Sequence, residues 1–255
     1  MPSSGPRVMI VDNDADTGTV LCEVLTEGGF SCQSARSVPA ALEALHRDVF
    51  SLVLSDYVIL DDADGAEWAT IEKLVAAARP APVVIFTGWP VDEDEVTQHG
   101  VSFVLRKPAD VESILEAVAQ QVPAAAEPEQ IELVRRYFEA LTRKDWEALA
   151  ELCTEDVVYH VPGSDPTHSR SAIGHDALRR LAASSFADFS DAVFSVTEVL
   201  PLPAALIGRY HARWTTPAGQ PAELDGAVLF HVRDRAISSI GVRLDLQRVA
   251  SVMGG

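Results

Sequence analysis

Asp56 closes a short apolar run, Ser51-Leu52-Val53-Leu54-Ser55-Asp56, and an acidic cluster, Asp12-Asn13-Asp14, follows an earlier one, Val8-Met9-Ile10-Val11. Thr87 ends a third run and Lys107-Pro108 follows a fourth. Carboxylates, a hydroxyl and a lysine at the carboxyl ends of parallel strands converge on one crevice. Such a crevice can hold a divalent cation and a transferable phosphoryl group. A lone strand-end aspartate is more often a helix cap or turn residue. Asp12, Asp56, Thr87 and Lys107 arriving in register is not explained that way.

The elements that must position these residues alternate along the first half. Apolar runs predict strands near Val8–Asp12, Phe30–Ala35, Leu52–Ser55, Val83–Thr87 and Phe103–Leu105. Helical patterns lie near Thr17–Glu27, Pro39–Asp48, Ala66–Ala78, Asp92–His99 and Val111–Gln120. Gly28-Gly29 stops the first helix, Pro39 suits the first turn of the second, and Arg79-Pro80-Ala81-Pro82 breaks the third. This alternation predicts an α/β doubly wound, five-stranded parallel sheet over residues 1–122.

Val122-Pro123-Ala124-Ala125-Ala126-Glu127-Pro128 reads as a short, stiff connector, with a Pro/Ala linker at 123–128. The second half, 129–255, places helices before strands. Gln130–Lys144 carries Ile131, Val134, Phe138 and Leu141 on one stripe, and Asp145 caps a helix over Trp146–Cys153. A strand at Val157–Val161 and a helix at Ala177–Ser185 precede strands near Phe194–Leu200, Ala204–Thr215, Glu223–Val232 and Ala236–Asp245. Helices segregated from antiparallel strands indicate α+β.

Composition narrows the partners. The 255-residue chain carries a net charge of −18 and a pI near 4.6, which disfavours binding to a phosphate backbone, so no nucleic acid is expected. Part of the acidity is local, in Asp61-Asp62-Ala63-Asp64 and Asp92-Glu93-Asp94-Glu95. Cys22, Cys32 and Cys153 show neither metal spacing nor a disulfide framework and read as small buried hydrophobes in a reducing cytosol. The start lacks the apolar region of a signal peptide, and no apolar run is long enough to span a bilayer. A cytoplasmic protein without membrane contact is the expectation.

Residues 7–121 resemble the receiver domain of two-component response regulators, with a flavodoxin-like fold, on the strength of Asp12, Asp56, Thr87 and Lys107-Pro108. The resemblance implies that Asp56 accepts a phosphoryl group from a sensor histidine kinase or phosphotransfer protein. It implies Mg2+ held by Asp12, Asp56 and Asn13 or Asp14, with Thr87 and Lys107 supporting the phosphoryl group and a cis bond before Pro108 aiming the lysine. The pattern departs from the family at Asn13, an amide where an acid is usual. It departs again in the loop Tyr57–Gly65, which lacks a proline, and at Val104, where an aromatic switch residue would stand three positions before the lysine. Phe103 should point to the opposite face.

Residues 129–250 resemble the SnoaL-like branch of the NTF2-like superfamily, an α+β cone-shaped fold. The stretches that carry this are Val134–Leu141, Asp145–Leu149, Asp156–Gly163, Ile173–Leu178 and Phe230–Asp234. The family includes polyketide cyclases, ketosteroid isomerases, epoxide hydrolases and non-catalytic binding domains, so fold does not decide function. Its enzymes move a proton beside a carbonyl or epoxide, using an acid–base pair in an apolar pocket. The candidates here are His160, His211, Asp225 and His231, with His211 expected near Asp225 or His231. Val161 occupies the position that would best match an isomerase aspartate. Single histidines on half-buried strands are more often structural, and Tyr159, Tyr210, Trp146 and Trp214 are more often core.

The reading is a cytosolic bacterial response regulator, phosphorylated on Asp56. Its SnoaL-like output binds a small apolar ligand or a protein partner, or forms a homodimer, rather than catalysing a reaction. The alternatives are a receiver-regulated cyclase, isomerase or hydrolase acting on an apolar small molecule, and a degenerate receiver kept as a scaffold.

Overall fold

The computed structural model describes residues 5–58, 67–161, 170–187, 191–216 and 219–243. The expected loop from Ile59 to Gly65, Pro162-Gly163, the end of the last strand at Asp245 and the tail Met253–Gly255 lie outside the described residues. The main division into two compact units falls between Ala124 and Ala125.

In the first unit, β1 (Arg7–Val11), β2 (Ser31–Ala35), β3 (Leu52–Asp56), β4 (Val83–Thr87) and β5 (Phe103–Arg106) alternate with α1 (Ala15–Glu27), α2 (Val38–Arg47), α3 (Glu67–Ala78), α4 (Glu93–Gln98) and α5 (Val111–Gln121). The five strands are parallel in the order β2-β1-β3-β4-β5. The central strands are buried on both faces, so they read as apolar runs rather than alternations. Met9, Val11, Val53 and Ile85 pack with Ala41, Ile71 and Leu74 on one side, and Val8, Ile10, Leu52, Leu54 and Val84 are equally buried on the other. Asp14, Ser37, Asp92 and Asp110 cap α1, α2, α4 and α5 through side-chain oxygens. Gly29, at φ 88°, takes the left-handed conformation that turns the chain from α1 into β2. Strand order reverses between β1 and β3, so the crevice opens where Asp12 and Asp56 end.

Two of the three cysteines are not the separate buried thiols expected. Cys22 on α1 and Cys32 on β2 form a disulfide, with Cα atoms 5.4 Å apart. The tight turn at Gly28-Gly29 folds β2 back beside α1 and brings the two side chains together, which spacing alone does not reveal. Cys153 is a free, buried thiol as expected, and burial pushes its pKa up to about 12.

The second unit runs α6 (Pro128–Arg143), α7 (Trp146–Glu151), β6 (Cys153–Val161), β7 (Arg170–Ile173), α8 (His175–Ser185), β8 (Val193–Pro201), β9 (Leu206–Thr215), β10 (Pro221–Arg233) and β11 (Ala236–Arg243). Its six-stranded sheet has the order β7-β6-β11-β10-β9-β8. The short strand β7 was not expected, and β6 takes Cys153, which the helical pattern had claimed. The sheet is also not wholly antiparallel, because β6 and β11 pair parallel.

Helix α6 lays Val134, Tyr137, Phe138 and Leu141 against the inner sheet face. Gly208 permits this approach, since a Cβ there would stand 2.8 Å from Val134 Cγ1. Tyr137, Phe138, Phe230 and Tyr210 form a run of ring contacts with centroids 4.9–6.1 Å apart. Tyr210 lies over Gly226, its cross-strand partner.

Candidate functional site

Asp12 follows β1, and its side chain is 3% exposed. One of its carboxylate oxygens accepts the Asp14 backbone N–H at 2.9 Å, and the other lies 3.3 Å from Lys107 Nζ. Asp56, at the end of β3, is 11% exposed and lies 3.3 Å from the same Nζ. Burial pushes the Asp56 pKa up, Lys107 opposes this, and the charge of Asp12 adds to the rise. Lys107 also sits over the Phe86 ring, 4.8 Å from its centroid. The Lys107–Pro108 bond is cis, and the Lys107 backbone N–H donates to the Thr87 carbonyl at 2.8 Å. Thr87 is buried, and its hydroxyl accepts the Trp89 N–H at 3.0 Å. A cavity of about 470 Å³ opens over this group, lined by Asp56, Val58, Gly88, Trp89, Pro90 and Lys107.

The three acidic-loop residues are not equivalent. Asp14 is committed to capping α1. Its carboxylate accepts the Thr17 hydroxyl at 2.8 Å and the Asp16 N–H at 3.0 Å, and these bonds hold its pKa below the usual range. Asn13 is exposed, and its backbone carbonyl accepts from Arg36 at 3.4 Å. The carboxylates left to meet a cation are therefore Asp12 and Asp56, both of which face Lys107. Among the described residues, no three or more His, Cys, Asp or Glu side chains cluster as a metal site. Magnesium is nevertheless commonly held by one or two carboxylates, completed by water and phosphate oxygens, so this oxygen donor set fits it.

The candidate histidines of the second unit, His160, His211 and His231, lie away from its aromatic interior. Along β9, Tyr210, Ala212 and Trp214 are core, so Arg209, His211 and Arg213 face the other side of the sheet. His211 Nδ1 meets Asp225 Oδ1 at 2.8 Å, with Glu223 3.8 Å from Nε2. The expected His211–Asp225 pairing is present, but on the outer face and largely in water. His231 lies six positions beyond Asp225 on β10, roughly 20 Å at strand rise, so His211 and His231 are not neighbours. His160 also alternates outward, between core Tyr159 and Val161, and bonds Ser171 Oγ at 2.9 Å. The interior instead holds buried tyrosines, with Tyr159 pushed up to about 12 by burial.

The family model for the response regulator receiver domain matches residues 8–119, and that for the SnoaL-like domain matches residues 134–240. The chain is a response regulator receiver domain joined to a SnoaL-like domain. Its receiver half is similar to the transcriptional regulatory protein GlrR of Escherichia coli, 33% identical over 128 residues, which are 48% of this chain and 28% of that protein. The chain thus matches under a third of that relative's length. Solved structures similar to the two halves include a CheY-like receiver domain protein from Methanospirillum hungatei (21% identity, 47% of this chain and 97% of that one, TM-score 0.42). Another is a protein of ketosteroid isomerase-like fold from Catenulispora acidiphila (18% identity, 51% and 95%, TM-score 0.43).

Two residues beside the site show no sign in the strand-end pattern, Trp89 in the cavity lining and Arg106 outside that lining. Trp89 is 63% exposed at the mouth of the cavity, beside Val58. Arg106, immediately before Lys107, donates to the Trp89 and Val91 carbonyls at 2.7 and 2.9 Å. An exposed tryptophan directly after Thr87-Gly88 was the available signal for the first. Val104 is buried in the core and Phe103 is exposed on the opposite face. Among the described residues no helix is long and apolar enough to cross a membrane.

Proposed function

We propose that this chain is a response regulator in which Asp56 accepts a phosphoryl group from a sensor histidine kinase or phosphotransfer protein, with the SnoaL-like domain as output. The observation that carries the reading is the meeting of Asp56, Asp12 and Lys107 around one nitrogen, beneath an open cavity.

An Asp56 carboxylate oxygen attacks phosphorus, forming an O–P bond as the donor's bond to phosphorus breaks and its electron pair leaves with the donor. Asp12 and Asp56 would hold a magnesium ion, which would supply charge neutralisation for the phosphoryl oxygens. Lys107 follows the new negative charge, because its ammonium already faces Asp56. The Thr87 hydroxyl donates to a phosphoryl oxygen while still accepting the Trp89 N–H, since a hydroxyl both donates and accepts. Gly88 leaves the approach unobstructed. The added charge then biases the receiver toward a second arrangement of its surface.

Output by self-association, or by binding an apolar ligand or protein partner, is supported over proton-transfer chemistry by the placement of His160, His211, Asp225 and His231 outside the aromatic interior. The test is acetyl phosphate with Mg2+, comparing wild type with Asp56→Asn. Intact mass should report one phosphoryl group per chain in wild type and none in the variant. Light scattering on the same samples reads any change of assembly. Absence of labelling in wild type favours the scaffold reading.

A further inference from the structure

We propose that Arg106 is the positioning residue that carries the state of the Asp56 site to α4, a task the buried Val104 cannot perform. The inference rests on the reading of Asp56 as a phosphoryl acceptor.

The hydrogen bonds run in an unbroken series. The Thr87 hydroxyl accepts the Trp89 N–H at 3.0 Å. The Trp89 carbonyl accepts from Arg106 Nη1 at 2.7 Å, and the Val91 carbonyl accepts from Nη2 at 2.9 Å. The same Nη2 reaches Glu93 Oε1 at 3.2 Å, in the first turn of α4. Arg106 therefore bridges the loop on both sides of Pro90 and ties it to the helix that begins two residues later. The Glu93 contact is exposed and contributes little, whereas the two charge-assisted bonds to carbonyls fix the loop. A planar guanidinium can span both carbonyls at once, which a single ammonium does less well.

Val104 is 6% exposed and packed among Val83, Ile85 and Val101, with no ring to swing between positions. Phe103 lies on the other face of β5. Val91 packs against the same core as Val104, so the loop that Arg106 holds is coupled to the interior at one end and to Thr87 at the other. When Thr87 is drawn toward a phosphoryl oxygen, the Trp89 peptide must follow or lose its bond. Arg106 then transmits that displacement to Val91 and the start of α4.

The test is hydrogen exchange over residues 91–98 in the full chain, with and without acetyl phosphate and Mg2+, in wild type, Arg106→Ala, Arg106→Lys and Asp56→Asn. Phosphorylation of wild type should change α4 exchange by about threefold or more. Arg106→Ala should accept phosphate on Asp56 to the same extent, exchange faster at α4 beforehand, and show no further change on phosphorylation. Arg106→Lys, which keeps the charge without the fork, should recover part of the response and covers the case of a poorly folded alanine variant. A full α4 response in phosphorylated Arg106→Ala, or none in phosphorylated wild type, overturns the relay and leaves Asp56 as acceptor. Failure of wild type to take up phosphate overturns the acceptor reading and the relay together.

Discussion

Lys107 Nζ lies 3.3 Å from Asp56 Oδ1 while also standing 3.3 Å from Asp12 Oδ2, so one ammonium holds two carboxylates that would otherwise repel. Removing it in Lys107→Met leaves two largely buried negative charges facing each other. The variant should lose about 1–3 kcal/mol at neutral pH. Millimolar Mg2+ should restore much of the loss, because the ion meets the same two oxygens. Urea denaturation with and without Mg2+ checks this, and an equal loss in both conditions would rule out charge repulsion as the cause.

Asp56→Asn should stabilise the fold at neutral pH. The carboxyl's pKa is raised by burial, so the folded state disfavours its charged form. That penalty is fully present above the raised folded-state pKa. It fades as pH falls through that value and is gone below the unfolded-state value. The gain at pH 7 should be on the order of 1 kcal/mol, the scale of an ordinary single substitution. Urea midpoints at pH 7 and in the acid range should show the difference shrinking as pH falls. A difference independent of pH would point to packing.

Asn13→Asp should tighten magnesium by about tenfold, because a hard cation gains a full charge where it now meets a neutral amide. Trp89 lines the same cavity, so tryptophan fluorescence during a Mg2+ titration is the natural readout. An unchanged midpoint would place Asn13 outside the cation's reach.

Gly226→Ala tests the packing of the second domain. A Cβ there would lie 2.5 Å from Tyr210 Oη and 2.6 Å from Cζ, so the tyrosine must move. A cost of about 1–3 kcal/mol is expected in thermal denaturation. Adding Tyr210→Phe should recover only part of it, because the ring carbon still overlaps.

His211→Ala should change stability by less than about 1 kcal/mol, because its partners Asp225 and Glu223 are exposed. A much larger loss, measured by urea denaturation, would mean that this face is covered in solution.

The receiver fold and its Asp12–Asp56–Lys107 meeting point were legible because parallel strands are buried on both faces. The apolar run ends where the polar residue begins, and topology sends all such ends to one edge. The face of a sheet in the second domain was less legible. Arg209, His211 and Arg213 alternate with Tyr210, Ala212 and Trp214, and that alternation already assigned the histidine to the face away from the core. The chemistry of His211 marks it as an acid–base candidate, and its strand neighbours decide which face it occupies. The Cys22–Cys32 bond, the four-residue β7 and the reach of Arg106 depend on how segments fold back on one another, and no local periodicity encodes them.

Asp14 spends its carboxylate on the first turn of α1, with a consequence for how the receiver responds to its surroundings. With that acid engaged and Asn13 neutral, an arriving divalent ion finds a crevice whose internal counterion is already in place. Its entry is an exchange against a tethered amine rather than the filling of a bare acidic bowl. On the reading proposed above, that exchange weakens the hold on the ion, so the readiness of Asp56 for chemistry would depend on ionic conditions as well as on the phosphate donor.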